Sequence, residues 1–532
     1  MEKDNILNRK KIFLYAFILW TILNLSGIKN GIFKEVQGSR VVVSKLCHLI
    51  FLYVLFYAIA TLFYRRKEKY YKNVIIISGI YFFITMTGLL LLWPGTWSWD
   101  DVFVLNSAQW WGFSPWQHFF SGLFHILCLQ TLPFSAGVIV MQLLIASLIV
   151  GYCVVSASHN VNSQKINMYV LQGIFLLITL LPPVLTYIYS GFRMGIYSYF
   201  ELFLVIKLWN TFRREKIEKM EYVHLVLLVI LVAAWRTEGL YYVGILLLFF
   251  VIFKGKSSKV ANIISVVVAV VLVFFIGKIN NHMIGNEEYS MVSTLTHVTE
   301  IAHVCDKTKV EQELQALDKV IDMDLVYNNS AKDVISLYWA HKLMREGYTE
   351  EQQKDYWKSY IRLMEKYPVT ALKTMTRLFL ESSGVIIDQD GYSLQTTVVS
   401  KDASTLDLFQ ENTGQAKSWL DLYSVWKYPI NESLREHLIH FLTCTNSEGK
   451  VNVFYFLFWN VLLPVAGLIV CIIYEIYRKD LKSLLLLLAV FIRVPIIIAT
   501  APASYFMYYL SVYLVGWFMI VAVVVDRKEK RE

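Results

Sequence analysis

The chain has 532 residues, 56% of them hydrophobic and 17% charged, with a formal net charge of +9. That composition excludes an ordinary soluble domain. The positive charge does not point to nucleic acid. The basic residues sit in short loops beside apolar runs, as in cytoplasmic loops, and no zinc-finger spacing, basic aromatic platform or Gly-rich phosphate loop is present.

In chain order, apolar runs occupy 11–27, 46–64, 74–93, 136–155, 167–189, 194–209, 222–235, 239–253 and 260–277. Three more follow at 453–476, 482–499 and 503–525. Each approaches the length a helix needs to cross about 30 Å of hydrocarbon, with 222–235 the marginal one. The strand alternation of an outer-membrane barrel is absent, and backbone groups in lipid must be satisfied within their own segment. The expectation is an all-α polytopic membrane protein with about 12 transmembrane helices. Residues 1–278 form its N-terminal transmembrane region, and 453–532 its C-terminal helices and cytoplasmic tail.

Charge sets the orientation. With Arg9, Lys10 and Lys11 inside, Arg65-Arg66-Lys67, Arg213-Arg214, Lys254 to Lys259, Arg478-Lys479 and Arg527 to Arg531 fall on the same side. The opposing loops up to residue 277 hold Lys29, Lys34, Arg40, Lys45, Arg193 and Arg236. Both termini are therefore expected in the cytoplasm, and the loop at 94–135 outside. No small-residue cleavage site follows Leu25, so the first run reads as an anchor.

That loop carries Trp93-Pro-Gly-Thr-Trp-Ser-Trp-Asp100-Asp101, two adjacent carboxylates at a membrane surface with no basic residue up to Gln130. Ser98 or Asp100 fits the N-cap of a helix starting near Val102, which accounts for one carboxylate but not both. As a general base, one would take the proton of an acceptor hydroxyl, with low dielectric and a like-charged neighbour raising its pKa. Asp101 is preferred, since Asp100 is the better cap. The segment Ser114 to Leu132 follows, apolar but holding Gln117, His118 and His125, with Pro115 suited to a first turn. It reads as an amphipathic helix on the outer surface. His118 fits either a contact to phosphate or sugar or a histidine bonded to backbone.

Two further external turns carry charge close to hydrocarbon: Ser190-Gly-Phe-Arg193 and Trp235-Arg236-Thr-Glu238-Gly. Such charges are costly unless paired or in a wet cavity. Arg236 and Arg193 suit bidentate capture of a phosphate, and Arg236 equally suits pairing with Glu238. Arg493, inside a late span, fits a second phosphate contact or a partner for Glu201. Thr500 to Tyr509 reads as an aromatic belt.

One hydrophilic stretch, 279–452, is expected as an external, mainly helical domain, because Ala331 to Glu346, Glu350 to Lys366 and Thr370 to Glu381 carry apolar residues at helical spacing. Cys305 and Cys444 lie near its ends, and both a disulfide and two free thiols stay open.

The acidic pair followed by Ser114-Pro-Trp-Gln-His118 resembles the first-loop motif of GT-C glycosyltransferases, polytopic enzymes that take sugars from polyprenyl-phosphate carriers. The Arg236-Thr-Glu-Gly turn continues the likeness. The closing Pro-Ala-Ser-Tyr-Phe-Met-Tyr-Tyr509 is similar to that of Gram-positive membrane proteins related to the same superfamily. The resemblance covers most of 74–278 and the last three helices. Here, however, the acidic loop follows a third span rather than the first, and the external domain lies between spans rather than at the C-terminus. The resemblance implies inverting transfer of a sugar from a lipid-linked donor to an extracytoplasmic glycan, glycolipid or protein, in the cell membrane of a low-GC Gram-positive bacterium. Asp101 or Asp100 would act as base. Arg236, Glu238, Arg193, His118 and Arg493 would form the substrate site. Some relatives use a divalent cation, but no metal-ligand spacing occurs in this sequence, so no metal or other cofactor is expected. The competing readings are a flippase or transporter of a lipid-linked glycan, and a non-catalytic envelope assembly subunit. Against transport stand the absence of a clear internal repeat and the gathering of polar residues on one side.

Overall fold

The computed structural model describes residues 2–26, 33, 38–97, 101, 104–105, 107–108, 111–114, 117–161, 166–284, 289–387, 429–501 and 503–526. Among these residues the chain is helical without strands, and β pairing is limited to isolated bridges such as Lys216–Lys256. It divides into two compact units. The first comprises Met1–Ile284, Gln395–Arg493 and Tyr509–Glu532, and the second Gly285–Leu394 and Val494–Tyr508.

The first unit opens with α1 (Glu2–Leu25), α2 (Ser39–Tyr64), α3 (Lys69–Leu92), α4 (Phe119–Thr131) and α5 (Ser135–Asn160). There follow α6 (Met168–Thr179), α7 (Pro182–Ile188), α8 (Arg193–Phe212), α9 (Lys219–Trp235), α10 (Thr237–Ile252) and α11 (Lys259–Ile284). The second unit contains α12 (Tyr289–Val304), α13 (Glu311–Asp318), α14 (Met323–Asn328), α15 (Ala331–Trp339), α16 (Glu350–Lys366) and α17 (Pro368–Ser382). The chain ends with α18 (Glu432–Thr443), α19 (Val453–Arg478), α20 (Leu481–Thr500) and α21 (Phe506–Val525).

Seven of these helices are long and apolar enough to cross a membrane: α2, α3, α5, α11, α19, α20 and α21. The count is eight if α6 and α7, bent by 59° at their junction, form one broken span. The break has a local cause, since Pro182 and Pro183 lack N–H groups and bias the preceding residue away from helix. Four further runs read as spans in the sequence do form helices, but fall short on length or charge. α9 has 17 residues, and α10 lies in the range 10–17. α8 carries Arg193, Glu201 and Lys207, and α1 carries Arg9, Lys10 and Lys11. α8 is buried along nearly its whole length, so its charges meet protein rather than lipid.

Small residues set the closest helix approach. A Cβ added at Gly151 of α5 would lie 2.0 Å from Ser78 Oγ and 2.6 Å from the Val74 carbonyl oxygen, both on α3. At the far end of α8 a backbone clasp joins two loops. Ile217 N donates to Lys256 O (3.1 Å), and Lys256 N donates to Glu215 O (2.7 Å). Lys207 pairs with Glu221 at 2.9 Å beside it, and Thr211 donates to the same carboxylate at 2.8 Å.

The second unit has its own core, in which Leu295, Val298 and Ile301 of α12 pack with Leu314, Leu317, Val334 and Tyr356. Three of its helices begin at side-chain caps: Asp322 for α14, Ser330 for α15, and a Thr349–Gln352 capping box for α16. Its limits differ from the 279–452 segment of the sequence reading, since it takes in Val494–Tyr508 and excludes α18. Cys305 and Cys444 are both free thiols, so neither lies in a disulfide.

Replacing Gly151 by Leu forces α3 and α5 apart. We expect a loss of about 1–3 kcal/mol, seen as a lower unfolding temperature in detergent, with Gly173→Leu, at an open position, as the control.

Candidate functional site

α7 ends at Ile188, and the carbonyl oxygens of its last turn and of the turn that follows are met by donors from three other segments. Thr96 donates through Oγ1 to Thr186 O (3.0 Å) and through its backbone N to Tyr189 O (2.8 Å). Gln142 of α5 donates Nε2 to Ser190 O at 2.8 Å. His125 of α4 sets Nε2 3.0 Å from Gly191 O and Nδ1 2.9 Å from Ser121 O. As an imidazolium it donates to both, and as a neutral ring to one. The acidic loop, the histidine helix and the Ser190–Arg193 turn, separated in sequence, thus meet at one end of the first unit.

Asp101 sits at this junction. It is helical and only 1% exposed. A Cβ at Gly191 would lie 3.3 Å from Asp101 Cβ and 2.6 Å from the Trp97 ring, so glycine is what allows the turn this close to the acid. Asp100 and Ser98 lie outside the described residues.

The helix expected from Ser114 begins five residues later, at Phe119, and is buried around most of its circumference rather than on one face. It is therefore a packed helix and not an amphipathic surface helix. His118 is its N-cap, with Nδ1 accepting from Phe120 N at 3.3 Å. Burial first, and the Arg193 charge second, hold the His118 imidazolium down to about 4, so the ring is neutral near pH 7.

The Arg236 turn joins the same end. Trp235 Nε1 donates to Arg193 O at 3.0 Å. Arg236, only 5% exposed, donates Nε to Glu238 Oε2 at 2.8 Å and Nη2 to Glu238 Oε1, and its Nη1 faces Met194 Sδ. Burial acts to raise the Glu238 carboxyl, but the Arg236 guanidinium outweighs it and holds the group well below the usual carboxylate range. Of the two roles open to Arg236, the structure shows the pairing with Glu238.

Arg493 likewise pairs with Glu201. Both are fully buried, with Arg493 Nη1 2.9 Å from Glu201 Oε2 and 2.7 Å from Tyr197 Oη. Tyr242 and Tyr241 donate to the other Glu201 oxygen at 2.8 and 3.3 Å. Arg493 Nε and Nη2 have no hydrogen-bond partner. Met194, Tyr197 and Glu201 follow at helical spacing along α8, which carries the site end into this ion-pair network.

No family model, curated protein or solved structure matches this chain. Among the described residues no three His, Cys, Asp or Glu side chains gather as a metal site requires. The arrangement brings a buried carboxylate, a neutral histidine, a half-buried arginine and a doubly bonded arginine to one end of the first unit. Sequence reasoning missed Gln142, Thr96 and Arg435, the last of which donates to two carbonyls before the acidic loop. A lone glutamine in the apolar run 136–155 was the available signal for the first.

Two outcomes follow. Arg493→Met should cost about 3–5 kcal/mol by leaving Glu201 buried and unpaired, and Arg493→Met with Glu201→Leu should cost less than Arg493→Met alone, measured by unfolding in detergent. For His118 the folded state disfavours the proton, so stability falls as pH drops from 6.5 toward 4 and levels below that. His118→Asn keeps a capping side chain and should lose that component, making its unfolding temperature less sensitive to pH than the wild type over that interval.

Proposed function

We propose that this chain is a GT-C-like membrane glycosyltransferase that moves a sugar from a polyprenyl-phosphate donor to an extracytoplasmic glycan, glycolipid or protein. The observation that carries the reading is the buried Asp101 carboxylate against the Gly191 turn, at the end of the bundle where Arg193, His118 and the Arg236–Glu238 pair also lie. In this reading α1, α8, α9 and α10 complete twelve crossings, and both termini face the cytoplasm. A 17-residue helix spans roughly 25 Å, close to the thickness required, and packing inside the bundle shields its polar groups.

The reaction is an inverting displacement. The acceptor oxygen attacks the anomeric carbon, its bond to carbon forms, and the bond from that carbon to the phosphate oxygen breaks. Asp101 takes the acceptor proton, and the polyprenyl phosphate leaves as an anion. Arg193, at the N-terminus of α8, offers its charge and the positive end of the helix dipole to that anion. Arg236 contributes once the phosphate replaces Glu238 on its fork. Neutral His118 serves as a hydrogen-bond partner rather than a cation. Arg493, saturated on one nitrogen by Glu201 and Tyr197, supports α8 from within.

A charged pair buried among helices also suits a transporter of a lipid-linked glycan. One experiment separates the readings. Lipids that co-purify with the wild type and with Asp101→Asn are identified by mass spectrometry, and transfer to cell-envelope acceptors is assayed in parallel. We expect a polyprenyl-phosphate monosaccharide on both proteins and a loss of transfer of about 100-fold or more in the variant. A long lipid-linked oligosaccharide on both, with no transfer by either, would instead indicate transport. Bulk phospholipid alone would end the glycosyltransferase reading.

A further inference from the structure

We propose that Arg435 is a positioning residue for the Asp101 carboxylate, an inference that rests on reading Asp101 as the general base. Arg435 lies on α18, more than three hundred residues beyond the acidic loop, and is 5% exposed. Its Nε donates to Leu92 O at 3.3 Å and its Nη2 to Gly95 O at 3.0 Å. Leu92 is the last residue of α3, and its carbonyl also accepts from Gly95 N at 2.9 Å. A cation at this point meets the negative end of the α3 dipole and adds a second bond to the Leu92 carbonyl and one to that of Gly95.

The turn held this way lies just before the acid in sequence. Thr96 follows Gly95 and is fixed to the carbonyls of Thr186 and Tyr189. Trp97 comes next, buried, with Nε1 donating to Pro94 O at 3.0 Å and its ring against Gly191. Arg435 therefore grips the loop at Leu92 and Gly95, immediately before the residue that bonds the α7 carbonyls. Removing it takes away the tie at Leu92 and Gly95 while those of Thr96 and Trp97 stay. A helix end is commonly finished by glycine or water, and burying a guanidinium there is costly. What the guanidinium adds is geometry: its planar fork aims two N–H groups at two carbonyl oxygens in a fixed arrangement, whereas the lysine ammonium is one freely rotating point. α18 is itself anchored, by its Asn431 cap and by Trp459 Nε1 donating to Leu442 O at 2.9 Å, so the fork is presented from a fixed base.

The test uses the full-length protein with Arg435→Gln and Arg435→Lys, the lysine variant keeping the charge should the glutamine variant fold poorly. Hydrogen exchange is followed at the amides of Gly95, Thr96 and Trp97 and, as an internal reference, along α5. We expect faster exchange at the three loop amides in both variants with α5 unchanged. In the transfer assay kcat should fall by about 100-fold while KM stays within a factor of about two, as for a displaced catalytic group. Unchanged loop exchange, or a kcat equal to that of the wild type, overturns the proposal. So does a fall in both variants that is matched by equal loosening of α5, because that is general destabilisation. If the loop loosens as expected but the wild type shows no transfer, the glycosyltransferase reading fails, and with it the catalytic meaning of the grip, while the structural grip itself stands.

Discussion

A backbone carbonyl in a membrane bundle must find a donor within the protein, and the oxygens of Thr186, Tyr189, Ser190 and Gly191 find theirs on Thr96, Gln142 and His125. Water cannot reach such groups in hydrocarbon, and each one left unmet costs several kcal/mol. A longer helix would have met the demand internally. α7 instead ends at Ile188, and the turn before α8 leaves these oxygens to the acidic loop, α4 and α5. The site is, in this sense, a by-product of a helix end.

The same logic governs the charges. Arg236 is closed by Glu238 and Arg493 by Glu201, so the two pairs add no net charge to the interior. Each pair is held by a different kind of neighbour. Arg236 lies beside a thioether, while Arg493 stacks 4.6 Å over the Tyr197 ring and shares its hydroxyl. A donor phosphate entering this end would meet a carboxylate already in possession of the arginine fork, and displacement of Glu238 then becomes part of binding.

The helical class and its apolar runs are legible in the sequence because period and length are local properties. The charged turns at Arg193 and Arg236 stand out for the same reason, since charge beside hydrocarbon needs an explanation wherever it occurs. Partner identity is another matter. Nothing near Arg236 distinguishes a carboxylate partner from a phosphate, and only the fold reveals Glu238 on both of its nitrogens. Arg435 sits in a helix of ordinary amphipathic spacing, and its contacts at Leu92 and Gly95 carry no local signature. The span count shows the limit of apolarity as a guide: α8 is packed against protein along nearly its whole length, so an apolar run can reflect burial in the bundle as well as contact with lipid.

The clasp between Glu215–Ile217 and Lys256 bears on how these helices can move. It joins the loop after α8 to the loop after α10, at the end of these helices remote from Asp101. Toward their other ends they are tied as well, by Trp235 Nε1 on Arg193 O and by Tyr241 and Tyr242 on Glu201. Helices pinned at both ends do not splay apart. They move as one slab, so a shift at the basic loops is felt at the turn beside Asp101.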